Sequence, residues 1–282
     1  MRILIIHNPI AGNGKRTNVL EPFERKGFII IETKGPNDAT QIVHENIAGY
    51  DLFIAAGGDG TVNEIAKALI GTEKSMGIIP MGSGNGLVNE VGQITVKALL
   101  ENNYRTTIID SLFLNEIPFF NVAGIGFEAI VAHEFAKQKK RGLIGYFTTT
   151  ISGIFSYKPL IISYSFNDIL KSDKIFSITI ANSKQYGNNA VISPSSKPND
   201  GIFEVCMIRS FPLLYGPILS YRLFSRTISK FKYYEVIMTT SFHLMNEIST
   251  LWNLDGESIR LPGPFHISIK PASLKIISEI PN

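Results

Sequence analysis

The stretch DLFIAAGGDGTVNEIAKAL, residues 51–69, runs from an apolar strand through Gly57, Gly58, Asp59 and Gly60 into a helical pattern. Thr61 and Glu64, three residues apart ahead of Ile65, Ala66 and Leu69, read as a capping box opening that helix. Glycines at a strand-to-helix junction let backbone N–H groups approach a ligand without Cβ interference, and the helix start adds positive partial charge. The loop is therefore a phosphate cradle or, more plainly, a tight turn needing positive φ. Asp59 favours the cradle, because a carboxylate beside phosphates is tolerable where it holds a metal, accepts a sugar hydroxyl or takes a proton.

Two more loops share this design. In MGIIPMGSGNGLVNEV, residues 76–91, a short strand meets Gly82, Ser83, Gly84, Asn85 and Gly86 before another helix. In HNPIAGNGK, residues 7–15, Asn8, Gly12, Gly14 and Lys15 follow the first strand. Up to about residue 112 the runs ILII, FIII, LFIAA and GIIP each precede a turn and an amphipathic stretch, the rhythm of βαβ units on a parallel sheet. All three loops then lie at the carboxyl ends of parallel strands, where open α/β sheets bind ligands. After Asp110 the pattern turns to period-two alternation, as in LIISYSF (160–166) and FSITIA (176–181), which reads as antiparallel strands with one buried face. The expected fold is α/β plus all-β: an amino-terminal parallel-sheet domain over 1–112, and an antiparallel β-sandwich over 113–273. Helical insertions are expected near 128–156 and 212–231, with a tail, 274–282, returning to the first domain.

The chain has 282 residues, 44% apolar and 18% charged, which suits about two domains, each with its own core, and excludes a disordered or fibrous chain. Lys plus Arg exceed Asp plus Glu by only 27 to 24, a net charge of +3, so nucleic acid is not an expected partner. The single cysteine, Cys206, excludes an internal disulfide framework and a cysteine zinc site, pointing to a reducing, cytoplasmic home and a core position for the thiol. MRILIIHNP has too short an apolar run for a signal peptide. The windows GLIGYFTTTISGIF and FPLLYGPILSYRLF are broken by Gly, Pro, Thr, Ser or Arg before reaching the roughly 18–20 apolar residues of a membrane span.

Familiar signatures fail. GNGKRT has Pro9 where a P-loop has its first glycine and Arg16 in place of the magnesium-binding Ser or Thr, and the dinucleotide fingerprint breaks at its third glycine. A kinase catalytic loop, a nucleophile elbow and HExxH are absent, and His7, His44, His133, His243 and His266 are scattered.

GGDGTVNEI with the later GSGN, the opening NPIAG, NVAGIGFEA (121–129), PSSKPNDGIFEV (194–205) and NLDGE (253–257) together resemble the diacylglycerol kinase catalytic-domain family, which includes bacterial lipid kinases and sphingosine kinases. The match spans about nine tenths of the chain in order; GGDGT alone is shared with NAD kinases and resembles a phosphofructokinase motif. The resemblance implies an amino-terminal nucleotide-binding domain, a carboxyl-terminal sandwich for the lipid substrate, and an ATP- and magnesium-dependent kinase acting on a hydroxyl of diacylglycerol or a related lipid. It implies nucleotide contacts from Asn8, Pro9, Ile10, Ala11 and Gly12, from Thr33, from Gly57, Gly58, Asp59, Gly60, Thr61, Val62 and Asn63, and from Gly82 and Ser83. It places Asp59 with metal and nucleotide, and a magnesium on Asp200 with the backbone carbonyls of Lys197 and Ile202. In NLDGE it makes Asp255 or Glu257 the acceptor of the hydroxyl proton, Asp255 being preferred. Read from the residues alone, Asp255-Gly256 and Asp200-Gly201 remain open to being simple turns.

Two departures bear on substrate identity: Glu128 stands where relatives commonly carry aspartate, and GSGNG replaces a Gly-Thr-x-Asn-Asp type sequence. Rival readings are a kinase of a soluble acceptor, NAD kinase-like, and a non-catalytic nucleotide- or lipid-binding module. From Val205 to Tyr234 there is no acidic residue and five basic ones, Arg209, Arg222, Arg226, Lys230 and Lys232. On one continuous helix Tyr221, Phe224, Ile228 and Phe231 would share a face opposite Arg222, Arg226 and Lys230, packing the aromatic stripe inward and leaving a solvated basic face. That face, and the shorter run Lys137, Lys139, Lys140 and Arg141, are candidates for peripheral contact with the inner membrane surface.

Overall fold

The computed structural model describes residues 1–11, 16–82, 86–136, 157–167, 169–186, 190–247 and 249–280. The chain divides into two units, Met1–Ser111 with Pro271–Asn282, and Leu112–Lys270.

In the first unit β1 (Ile3–His7), β2 (Ile29–Glu32), β3 (Leu52–Gly57) and β4 (Ser75–Pro80) alternate with α1 (Arg16–Arg25), α2 (Asp38–Asn46) and α3 (Asp59–Leu69), and α4 (Gly86–Val91) and α5 (Val96–Leu100) follow β4. β5 (Tyr104–Leu114) leads out of this unit and β15 (Phe265–Glu279) returns to it. The order β15-β4-β3-β1-β2 is parallel throughout. β3 is buried along its whole length, as a central parallel strand covered on both faces must be, which is why LFIAAG carries no polar residue. α3 buries Val62, Ile65, Ala66 and Leu69, the spacing of one helical stripe. The return of β15 is secured where Ala272 N donates to Asp110 Oδ1 at 2.8 Å and Ser273 Oγ donates to Ser111 Oγ at 2.7 Å.

The expected capping box is not formed. α3 starts at Asp59 with Gly58 as its N-cap and no side-chain cap, so Thr61 already lies inside the first turn. Glu64 instead reaches the neighbouring helix, its two carboxylate oxygens accepting from Asn37 N (2.9 Å) and Ala39 N (3.0 Å) at the start of α2. Asn37, at φ 65°, supplies no cap of its own there.

The second unit holds β6 (Ile117–Phe119), β7 (Val122–Gly126), α6 (Phe127–Ala136), β8 (Leu160–Phe166), β9 (Ile169–Ala181), β10 (Phe203–Arg209), α7 (Gly216–Phe224), β11 (Tyr234–Thr239), β12 (Ser241–Leu244), β13 (Thr250–Leu254) and β14 (Glu257–Leu261). Its strand pairs are antiparallel. The strands β11-β10-β9-β7-β13-β14 and β8-β12-β15 with β5 and β6 send one face each into a shared core: Ile178, Ile125, Val205 and Trp252 from the first group, Tyr164, Phe242, Phe265 and Leu112 from the second. This is the β-sandwich. β10 departs from the expected one-sided burial: only Arg209 is exposed, because Phe127 and Val131 of α6 and Leu219 of α7 cover its outer face together with Phe211, Ile228 and Phe231. Cys206 is on that covered face, and burial pushes its thiol up to about 12.

The single helix expected over 212–231 is divided. α7 ends at Phe224, Arg226 adopts φ 58°, and a 3-10 turn follows at Ile228–Lys230. The left-handed residue reverses the helical phase, so Ile228 and Phe231 turn inward while Tyr221 is left 68% exposed. The remainder of the first helical insertion, and the basic run from Lys137 to Arg141, lie outside the described residues.

Candidate active site

In the first unit the chain steps from β1 to β2 on one side and then to β3 on the other, so β1 and β3 flank the point where the winding reverses. Loops diverge at such a point and leave a crevice at the carboxyl ends of the strands. Two of the glycine-bearing loops meet there. Asn8 N donates to Ala56 O at 3.0 Å, Asn8 Nδ2 donates to Thr61 Oγ1 at 3.2 Å, and Asn8 Oδ1 accepts from Ile10 N at 3.0 Å. Thr61 thus joins the α3 start to the β1 loop. Gly57 allows the close approach: a Cβ there would lie 2.5 Å from Thr61 Oγ1. Gly58 is open, with only Gly82 Cα at 3.8 Å from a notional Cβ. Thr33, after β2, is buried and donates its N–H to His7 O at 2.8 Å.

Asp59 stands at the first position of α3, and its Oδ1 accepts from Gly86 N, the first residue of α4, at 3.0 Å. One carboxylate therefore ties together two helix starts, the positive ends of whose dipoles attract anions. Asn8, Pro9, Ile10, Ala11, Thr33, the run Gly57–Asn63 and Gly82 fall at or beside this one edge of the sheet; Gly12 and Ser83 lie outside the described residues.

In the second unit Asp255 and Gly256 have φ 49° and 94°, the two positive angles of a two-residue hairpin turn, between Leu254 and Glu257. The turn is also more than a turn. The Asp255 carboxylate is buried and accepts three backbone N–H groups, Phe120 at 2.8 Å on Oδ2, and Asn121 at 2.8 Å and Val122 at 3.0 Å on Oδ1, while Asp255 N donates to Val122 O at 2.9 Å. Asp255 thereby clamps the entry of β7 to the β13–β14 turn. Glu257, at the start of β14, is exposed.

Glu128, near the start of α6, is 7% exposed. Thr179 Oγ1 donates to its Oε2 at 2.6 Å, Asn253 Nδ2 to its Oε1 at 3.0 Å, and Tyr186 OH lies 2.6 Å from Thr179 Oγ1. A Cβ on Gly124 would overlap this carboxylate. Burial pushes Glu128 up to about 7, the bonds from Thr179, Asn253 and Tyr186 opposing the rise. The sequence singled out Glu128 as an atypical carboxylate; its three partners, on β9, β13 and the loop after β9, carried no local signal.

The segment around Asp200 is a turn, with Gly201 at φ 76° and Ile202 N donating to Asp200 Oδ1 at 3.3 Å. Lys197 and Asp200 are exposed. Glu204, at the start of β10, is 3% exposed and its Oε2 has no hydrogen-bond partner among the described residues. Burial raises this carboxyl, and the negative charge of Asp200 adds to the rise. Among the described residues no three His, Cys, Asp or Glu side chains converge on a metal position. The carboxylates of Asp200 and Glu204 and main-chain carbonyls are hard oxygen donors of the kind magnesium takes, and an unsatisfied buried oxygen such as Glu204 Oε2 is what a cation relieves, so the chemistry of these residues fits such an ion.

Among the described residues no helix is long and apolar enough to cross a membrane. Residues 2–109 match the model of the diacylglycerol kinase catalytic domain, and residues 121–278 match that of the YegS C-terminal NAD kinase beta sandwich-like domain. The chain is 28% identical over 225 residues to a diacylglycerol kinase of Bacillus subtilis strain 168, covering 74% of each. It is 28% identical over 299 residues to a Yersinia enterocolitica protein named "Probable lipid kinase YegS-like", covering 97% of this chain and 95% of that one. Two crystal structures from Bacillus anthracis strain Sterne superpose with TM-scores of 0.81 and 0.74 at 23% and 20% identity, covering 99% of this chain and 95% and 97% of theirs; the likeness carries the fold. The chain belongs to the diacylglycerol kinase catalytic-domain family, with a YegS-type C-terminal sandwich.

Proposed function

We propose that this protein transfers the γ-phosphoryl group of ATP to a hydroxyl of diacylglycerol or a related lipid, with magnesium, at the cytoplasmic face of a membrane. The observation that carries the reading is the meeting of the β1 and β3 loops at the winding reversal, where Asn8 is bonded to Ala56 and Thr61 and the backbone at Gly58 is open. Phosphoryl transfer needs cradled phosphates, compensated charge and a base at the acceptor more than covalent help.

In this reading Asn8 to Gly12, Gly57 to Asn63, Gly82 and Ser83 hold the nucleotide, and Thr33 backs the β1 loop. Asp59 keeps α3 and α4 together and faces the metal and phosphates. Asp200, with the carbonyls of Lys197 and Ile202, would hold magnesium, and buried Glu204 joins that set. Bound there, the ion would supply positive charge that draws the turn together. The sandwich supplies the lipid site and the base. Three main-chain donors already occupy the Asp255 carboxylate, which favours Glu257, exposed two residues on, as the proton acceptor, with Asp255 fixing the turn that presents it.

The test is transfer of labelled γ-phosphate to a panel of lipid hydroxyl acceptors and to soluble acceptors such as NAD. The expected result is labelled phosphatidate from diacylglycerol, abolished by Asp59→Ala. Label on NAD but on no lipid refutes the reading.

A further inference from the structure

Ending α7 at Phe224 leaves an apolar row facing solvent. On α7 the exposed Ile218 and Tyr221 (68%) stand in the i, i+3 relation that puts them on one side, and Leu213 and Leu214 (84%) are exposed in the 3-10 turn Leu213–Tyr215 that leads directly into the helix. The opposite side of α7 is already satisfied: Leu219 packs in the cluster of Phe211, Ile228 and Phe231. The row is thus surplus to this unit's own core, and grouped exposed apolar side chains mark a surface for a partner.

Charge beside the row defines the partner. The segments carrying it are joined by ring contacts, Phe211 to Phe231 at 5.5 Å and Tyr215 to Tyr233 at 5.4 Å, so the stretch leading into α7 is packed against the stretch Phe231–Tyr233, which Lys230 precedes and which contains Lys232. Arg209 is spent on Asp173 and Glu235, and Arg222 donates to Thr227 Oγ1. Arg226, Lys230 and Lys232 are exposed and have no acidic partner among the described residues. We propose that this face, Leu213, Leu214, Ile218 and Tyr221 flanked by Arg226, Lys230 and Lys232, docks on an anionic lipid bilayer. Apolar side chains enter the acyl boundary while the cations remain at the headgroups. The inference names the membrane partner of the lipid reading above and rests on that reading only for the expectation that the protein meets a bilayer.

The test is co-sedimentation of the full chain with phosphatidylcholine vesicles with and without about 30% phosphatidylglycerol, which gives a negative surface, in the absence of diacylglycerol. The variants are Leu214→Ser with Tyr221→Ser, and Lys230→Glu with Lys232→Glu, all at exposed positions that leave the core intact, as a circular-dichroism melt checks. The parent is expected to bind the anionic vesicles in a salt-sensitive way. The lysine pair is expected to lower that binding by at least about tenfold, since each cation near the surface is worth about fivefold. The serine pair is expected to lower it on the order of tenfold while both variants keep the parent's turnover on a short-chain, water-soluble diacylglycerol. Unchanged vesicle binding in both variants overturns the docking face and leaves the kinase reading standing. A parent that binds vesicles through this face but phosphorylates no lipid supports the face and sinks the kinase reading. A row that instead closes a dimer, seen as a parent dimer split by the serine pair with vesicle binding untouched, also overturns it.

Discussion

Replacing Glu128 by Gln tests the buried network of the second unit through its pH dependence. Burial holds the Glu128 carboxyl at about 7, against an ordinary 4.5 in an unfolded chain. Because the folded value is the raised one, the favourable contribution is fully present below about pH 4.5 and is lost as pH climbs to about 7: the unfolded chain gains by ionising while the folded one cannot follow. A rise from 4.5 to about 7, at about 1.4 kcal/mol for each step of one in pH, comes to about 3 to 4 kcal/mol. Gln reproduces the protonated arrangement, its oxygen accepting from Asn253 Nδ2 and its amide donating to Thr179 Oγ1, which in turn donates to Tyr186 OH. It carries no titration. The variant is therefore expected to match the parent near pH 4.5 and to exceed it by about 3 to 4 kcal/mol at pH 8. Urea unfolding followed by fluorescence of Trp252, the sole tryptophan, reads the right part of the molecule, since Trp252 is fully buried on β13 next to Asn253. His266, lowered by burial, and Glu204 titrate alike in both proteins and cancel in the difference. A parent–variant difference that stays flat between pH 5 and 8 refutes the reasoning.

Asp255→Asn places an amide group against main-chain donors and is expected to cost about 2 kcal/mol of stability as well as activity, whereas Glu257→Gln is expected to cut turnover by at least a hundredfold, on the order general-base loss gives, with an unchanged melting curve. Equal melting losses in the two variants would show that this division of roles is mistaken. Gly57→Ala drives a methyl into Thr61 and is expected to raise the KM for ATP through displacement of α3, more than Gly58→Ala, whose site has room; steady-state kinetics at varied ATP compares them. Magnesium is expected to raise the melting temperature of the parent and to leave that of Asp200→Ala unmoved, with Glu204→Gln between the two; calorimetry in magnesium against a chelator decides it.

Much of the architecture was legible in the chain because its cause is local. A strand covered on both faces needs an unbroken apolar run, and LFIAAG declares one; a sandwich strand needs alternation, and LIISYSF shows it over Ile162 and Tyr164. The misreadings share one origin. Thr61 and Glu64 have the spacing of a capping box, but their partners, Asn8 and the start of α2, come from other loops. The aromatic stripe after Tyr221 obeys helical spacing only until Arg226 takes a left-handed conformation, favoured here because Ile228 and Phe231 gain burial against Phe211.

The same boundary runs through the site. Glycines, a short acidic side chain and helix-starting patterns are requirements of the backbone within a few residues, so the order of residues alone was enough to mark the loops after β1, β3 and β4 and the Asp-Gly turns. Which carboxylate is clamped, which is buried and which stands free depends on groups more than a hundred residues away: Phe120, Asn121 and Val122 on Asp255, and Asn253 on Glu128. Hydrogen bonding and desolvation act through space, and only the tertiary structure brings those partners within their reach.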